Sequence, residues 1–197
     1  MPSELTLLDN LRIVGKSPGS NSENNWLYDT AKLLHKVNSH VHHTDYVNFF
    51  GQVMTACTYM ALNPVGKELI MKIRRLRFKV DIIPTVGDGF FIPFCDPTKA
   101  DYEIPNRPNI GATIVWDPKK EFTHTNTLNN IPVTYPAWVV LAHELGHAIQ
   151  LNETPASHED WYKHYQSNME AVEMDNVRQH ETPLVKSLGL LERLKYS

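Results

Sequence analysis

Cysteine is nearly absent: Cys57 and Cys95 are the two in 197 residues, far apart and without C-x-x-C spacing. That pattern excludes a disulfide framework or a cysteine-rich zinc knuckle and points to a reducing compartment. Cys57 lies in the apolar run Val53-Met54-Thr55-Ala56-Cys57, where it reads as a small core residue rather than a nucleophile. No run of 18 apolar residues occurs, and the opening MPSELTLLDNLRIVGKSPGS lacks the basic-then-apolar order of a secretory signal peptide, so neither a membrane span nor classical secretion is expected. The formal net charge is only -3. With 19 scattered Lys and Arg, the basic footprint of a nucleic-acid binder is missing too. The densest basic stretch, residues 72–79, reads as the solvated end of a helix, where cations suit the dipole. There is no internal repeat.

What remains is a chain that is 42% hydrophobic, enough for one globular domain with a real core. Residues 15–25 (GKSPGSNSENN) contain no large apolar side chain, and residues 1–25 are expected to form a flexible leader to a domain spanning 26–197. Leu27, Ala31, Leu34 and Val37 recur at helical spacing after Asn24 and Asn25. His40, His42 and His43 point in different directions at consecutive positions and read as a surface loop rather than a shared metal site. Asn63-Pro64 looks like an N-cap followed by proline at the first helical position, opening a helix with Leu69, Ile70, Ile73 and Leu76 toward the core. Residues 78–84 and 90–94 read as strands flanking a turn at Val86-Gly87-Asp88-Gly89, and residues 111–116 as a third strand. Residues 117–130, rich in Thr and Asn, are expected as a long loop with His124 at the surface. Short strands after two helices, with more helix to follow, describe an α+β domain.

The chemistry is concentrated in Val139-Val140-Leu141-Ala142-His143-Glu144-Leu145-Gly146-His147. Pro136-Ala137-Trp138 opens a helix-compatible segment running to Leu151. Polar groups in so apolar a helix are costly to bury without partners. Four residues make slightly more than one turn, so His143 and His147 stack on one face and can reach the same ion, with Glu144 beside it. This H-E-x-x-H arrangement suits Zn2+: imidazole ligates while neutral, and Glu144 takes a proton from activated water and passes it to a leaving amine. A random chain of this composition would contain the motif about once in thirty. Its apolar helical setting makes accident less probable still.

Catalytic zinc generally has a third protein ligand. Extending the motif on its own helix would use Glu153, but Gln150 stands where glycine is needed for the sharp turn. A downstream segment, residues 168–176, has helical periodicity with Ser167 as cap. There Glu170 is the first candidate ligand and Glu173 the next. Glu173, Asp175 and Asn176 are candidates for the outer shell that fixes a ligating histidine. His158, Asp160, His164 and His180 could approach from the intervening stretch or beyond, and Tyr162, Tyr165 or His180 could donate to an oxyanion; sequence does not choose among them.

The V-L-A-H-E-L-G-H-A stretch, the downstream Glu170-Ala171-Val172, Asp175-Asn176 and Arg178, and Ile114-Val115-Trp116-Asp117-Pro118 together resemble the effector zinc metallopeptidases that bacterial pathogens inject into host cells, typified by non-LEE-encoded effector D. The likeness covers roughly residues 60–182. It implies a zincin-like fold, a small twisted sheet above the active-site helix, with zinc on His143, His147 and Glu170. It further implies a virulence protease secreted into the host cell, cutting host proteins, with MAP kinases as the implied signalling-kinase targets. Methionine stands at position 174, where the best-known enzymes with a glutamate ligand carry aspartate. The expectation is thus a monomeric zinc endopeptidase acting on a protein substrate laid along a sheet edge, with residues 111–116 the first candidate edge. A metal-binding module without proteolysis, or a zinc hydrolase of a small amide, is the alternative.

Overall fold

The computed structural model describes residues 3–8, 10–15, 46–85, 87–93, 111–126, 130–154 and 157–194. The expected helix after Trp26, the histidine cluster at 40–43, Val86 and Cys95 lie outside them. Strands β1 (Ser3–Leu8) and β2 (Leu11–Gly15) form an antiparallel pair, so residues 3–15 are not the flexible leader that the sequence suggests. The physical reason is burial: Leu11 and Ile13 alternate into the core, a pattern too short to stand out before the Ser/Asn-rich stretch that follows.

Helices α1 (Tyr46–Leu62) and α2 (Pro64–Ile73) come next. The Asn63 side chain accepts from the backbone N–H of Val65 and Gly66, the cap its position before Pro64 predicts. Leu69, Ile73 and Leu76 are buried, as expected. Strands β3 (Val80–Pro84), β4 (Phe90–Ile92) and β5 (Ala112–Trp116) complete a five-stranded sheet in the order β1-β2-β3-β5-β4. β2, β3 and β5 run parallel, and β4 closes the far side antiparallel to β5. β5 is therefore hydrogen-bonded on both sides. It is an interior strand, buried along its whole length as such strands usually are, and cannot be the open edge the sequence suggested. That edge is β4.

Residues 122–126, inside the expected 117–130 loop, are a strand. β6 (Phe122–Asn126) pairs with β7 (Ile131–Tyr135) as a hairpin, and its tip places Asn130 at φ 56, a conformation asparagine tolerates. His124 and Asn126 alternate inward with Val133 and Tyr135, while Thr123 and Thr134 share a hydroxyl hydrogen bond outside. The polar composition hid this period of two, because the inward-facing residues include a histidine and an asparagine.

Helix α3 (Ala137–Glu153) runs through the middle of the α+β domain, with Leu141, Leu145, Ala148 and Ile149 packed among Phe49, Val53, Met60, Ile82 and Ile114. The Trp116 indole N–H donates to the Ala137 carbonyl and ties the end of β5 to the start of α3. Helices α4 (His158–Ser167) and α5 (Met169–Asn176) follow; a π-helical turn, Val177–Glu181, leads into α6 (Thr182–Ser187). Ser167 ends α4 and donates to the Lys163 carbonyl instead of capping α5. Asn168 holds the N-cap position. Among the described residues no helix is long and apolar enough to cross a membrane.

Candidate metal centre

The middle of α3 carries His143, Glu144 and His147, all buried, as a helix surrounded by core must make them. The two rings lie perpendicular, centroids 4.9 Å apart. Facing them from α5 is Glu173: Oε2 stands 3.2 Å from His143 Nε2 and Oε1 stands 3.3 Å from His147 Nε2. Among the described residues, His143, His147 and Glu173 form a group of buried donors able to hold a metal ion. One ligand atom from each of the three lies within 4.8 Å of the other two, close enough for a single ion to be shared.

The carboxylate that the fold brings to the two imidazoles is accordingly Glu173, not Glu170. In α5 and the π turn the buried positions are Val172, Glu173, Asn176, Val177, His180 and Glu181; Asn176, Val177 and His180 follow Glu173 by three, four and seven residues, as one helical face requires. Glu170 sits one turn earlier, in the exposed first turn, where a carboxylate suits the helix dipole. Glu153 is exposed at the end of α3.

Each metal-facing group is held from behind. His147 Nδ1 meets Gln150 Oε1 at 2.9 Å, and the Gln150 amide donates to the Val172 carbonyl and to Asp175 Oδ2. Asp175 thus reaches the site through Gln150. The Tyr165 hydroxyl donates to Glu173 Oε1 at 2.6 Å. Asn176 Nδ2 donates to the His143 carbonyl at 2.9 Å and lies 3.4 Å from both ring nitrogens, in line with neither. His143 Nδ1 meets Glu181 Oε2 at 2.9 Å. A carboxylate behind a ligating imidazole fixes its tautomer and its orientation.

Glu181 and Arg193 carry no signal in the sequence. Eight residues separate Glu173 from Glu181, which in an unbroken α-helix leaves them about 80° apart around the axis. The π turn widens the hydrogen-bonded loop by one residue, so eight residues advance roughly as seven would and both carboxylates face α3. Gly146 permits the close approach: a Cβ there would fall on Asn176 Oδ1.

Burial alone would push the His143 pKa down, but hydrogen bonds to Glu173 and Glu181 outweigh it and raise it to about 10. Burial would likewise raise Glu173, but the two histidines hold it well below the usual carboxylate range. Without an ion, the positive charge these carboxylates demand is a proton on His143; a divalent cation can take that proton's place. Glu144, by contrast, is raised, chiefly by burial.

Two cavities meet at His143 and Glu144. The smaller, about 90 Å³, lies under β4 and is lined by Phe91, Trp161, Tyr162 and Glu173. The other, about 320 Å³, opens toward the hairpin past Val139, Val140 and Phe122. Phe91 packs over His147 with ring centroids 5.8 Å apart, so the edge strand stands directly above the ligands.

Compared with known proteins, the chain matches no family model and no curated protein. Its chemistry is therefore read from its own residues. Of the other polar candidates, some are engaged away from the imidazoles and some stand beside them. His158 binds the Pro93 carbonyl, Asp160 pairs with Ser157, and His164 lies exposed at the end of α4. His180 is buried near Gly146. Tyr162 and Tyr165 line the smaller cavity.

Proposed function

We propose that this protein is a zinc-dependent endopeptidase with His143, His147 and Glu173 as ligands and Glu144 as general base. The observation that carries the reading is the pair of imidazole nitrogens 3.2 and 3.3 Å from one buried carboxylate, with Glu144 beside them in the same cavity. Zinc bound there would supply Lewis acidity toward a carbonyl and toward water. Glu144 accepts the proton as water attacks and delivers it to the departing amine; burial raises its pKa toward the range where a carboxylate does both. Tyr165 holds Glu173, and Gln150 holds His147 with Nε2 turned inward.

A polypeptide substrate fits better than a small amide, because the reacting centre lies where two cavities join rather than at the bottom of one pit. The substrate pairs with the outer edge of β4, in place of the residue 111–116 edge, while its side chains enter the cavities on either side. A zincin-like architecture and a host signalling kinase as substrate remain the readings drawn from the resemblance to injected effectors. Zinc content and cleavage of a host-cell lysate, compared for wild type and Glu144→Gln, test the enzyme. Glu144→Gln should keep fold and zinc while losing cleavage. A zinc-free wild type, or a variant that cleaves normally, would end the proposal.

A further inference from the structure

We propose that Arg193 is a positioning residue for the metal centre: carried on the C-terminal segment, its guanidinium fixes the Glu181 carboxylate, which fixes the His143 ring, so zinc retention depends on that segment being docked. The inference rests on the metal-site reading above and extends it to residues beyond the ligands.

Arg193 is buried, with 7% of its surface exposed. Its Nη2 donates to Glu181 Oε2 at 2.7 Å and its Nε to Oε1 at 3.2 Å, a fork on both oxygens. Oε2 is also the atom that meets His143 Nδ1 at 2.9 Å. The guanidinium lies over the Phe122 ring, 4.8 Å from its centroid, and Nη2 stands 3.5 Å from His143 Nδ1. A buried ion pair is weak evidence of a stabilising role, since desolvation offsets much of its attraction. What this pair does hold is a carboxylate whose position decides where an imidazole points.

The segment that delivers Arg193 is hooked to the hairpin. The Tyr135 hydroxyl donates to the Leu191 carbonyl at 2.8 Å, and Asn126 Nδ2 donates to the Glu192 carbonyl at 3.0 Å. The path runs from the hairpin through residues 191–193 and Glu181 to His143. A lysine at 193 keeps the charge but cannot grip both oxygens.

The experiment measures Zn2+ affinity of the full chain by competition with a chromophoric chelator, together with thermal unfolding of each metal-free form. Arg193→Gln should weaken Zn2+ binding about ten- to hundredfold, the range of outer-shell losses. Arg193→Lys should lose part of that affinity, and serves if Arg193→Gln does not fold. Asn126→Ala, which frees the segment without touching the ligands, should weaken binding severalfold. Adding Arg193→Gln to Glu181→Ala should cost no further affinity, since the guanidinium acts through that carboxylate. A purely structural Arg193 would lower the melting temperature with Zn2+ affinity unchanged, and that result overturns the inference while leaving the metal site intact. Wild type that binds no Zn2+ overturns both.

Discussion

Replacing Gly146 by alanine should destabilise the protein, although the general rule for a glycine inside a helix gives the opposite sign. Alanine is favoured over glycine in a helix interior by about 0.8–1 kcal/mol. At position 146, however, the added methyl would land on Asn176 Oδ1 and stand 3.0 Å from His180 Cδ2. Overpacking of this kind costs roughly 1–3 kcal/mol. Displacing Asn176 also threatens its 2.9 Å bond to the His143 carbonyl, worth about 0.5–1.5 kcal/mol. The balance is a loss of about 1–3 kcal/mol, or a fall in melting temperature of roughly 2–12 °C for a chain of this size. Gly51 supplies the control: it lies exposed in α1 with nothing within 4 Å of an added Cβ, so Gly51→Ala should gain up to about 1 kcal/mol. Calorimetry of the two metal-free variants decides it. A Gly146→Ala protein as stable as Gly51→Ala would show that α3 and α5 do not approach as described.

Glu173→Gln should abolish stoichiometric zinc binding, whereas Glu170→Gln should leave it unchanged, because only the first faces the imidazoles; metal analysis after dialysis that finds zinc lost in Glu170→Gln and kept in Glu173→Gln would assign the ligand to Glu170 instead. Tyr165→Phe removes a 2.6 Å bond to Glu173 and should weaken zinc about tenfold or more in a chelator competition, with the metal-free fold retained. The pH dependence has a definite sign. His143 has a folded pKa of about 10, above its ordinary 6.5, so its contribution to the metal-free protein is full below about pH 6.5 and is lost as pH rises through about 10. Glu173 is depressed, so its contribution is lost as pH falls below the ordinary carboxylate value. The metal-free melting temperature should therefore decline between pH 7 and 10.5, and zinc uptake near neutral pH should release protons; a flat profile without proton release would refute this charge assignment.

The α3 half of the site was legible because a helix repeats every 3.6 residues: His143 and His147 had to share a face, and Glu144 had to lie beside it. The α2 cap at Asn63 and the β3 and β5 strands were legible for similar local reasons. The choice between Glu170 and Glu173 was not, since both lie on overlapping arcs of one short helix and only its crossing with α3 decides which is buried. Glu181 was hidden for a sharper reason, because a π turn breaks the very periodicity by which a helix is recognised. The hairpin was lost to composition, its inward residues being His124 and Asn126 as well as aromatic and aliphatic ones. Which strand forms the sheet edge depends on β5 inserting between β3 and β4, a long-range event without a local marker.

With His143 and His147 on α3 and Glu173 on α5, 26 residues beyond His147, a cation held as proposed can be gripped only after those two stretches have met. Any binding energy then favours the native state alone, adding about 2.7 kcal/mol when free zinc is a hundredfold above its dissociation constant. The survival of this protein against proteases should consequently follow the zinc supply of its surroundings, and a strong chelator should shorten its lifetime.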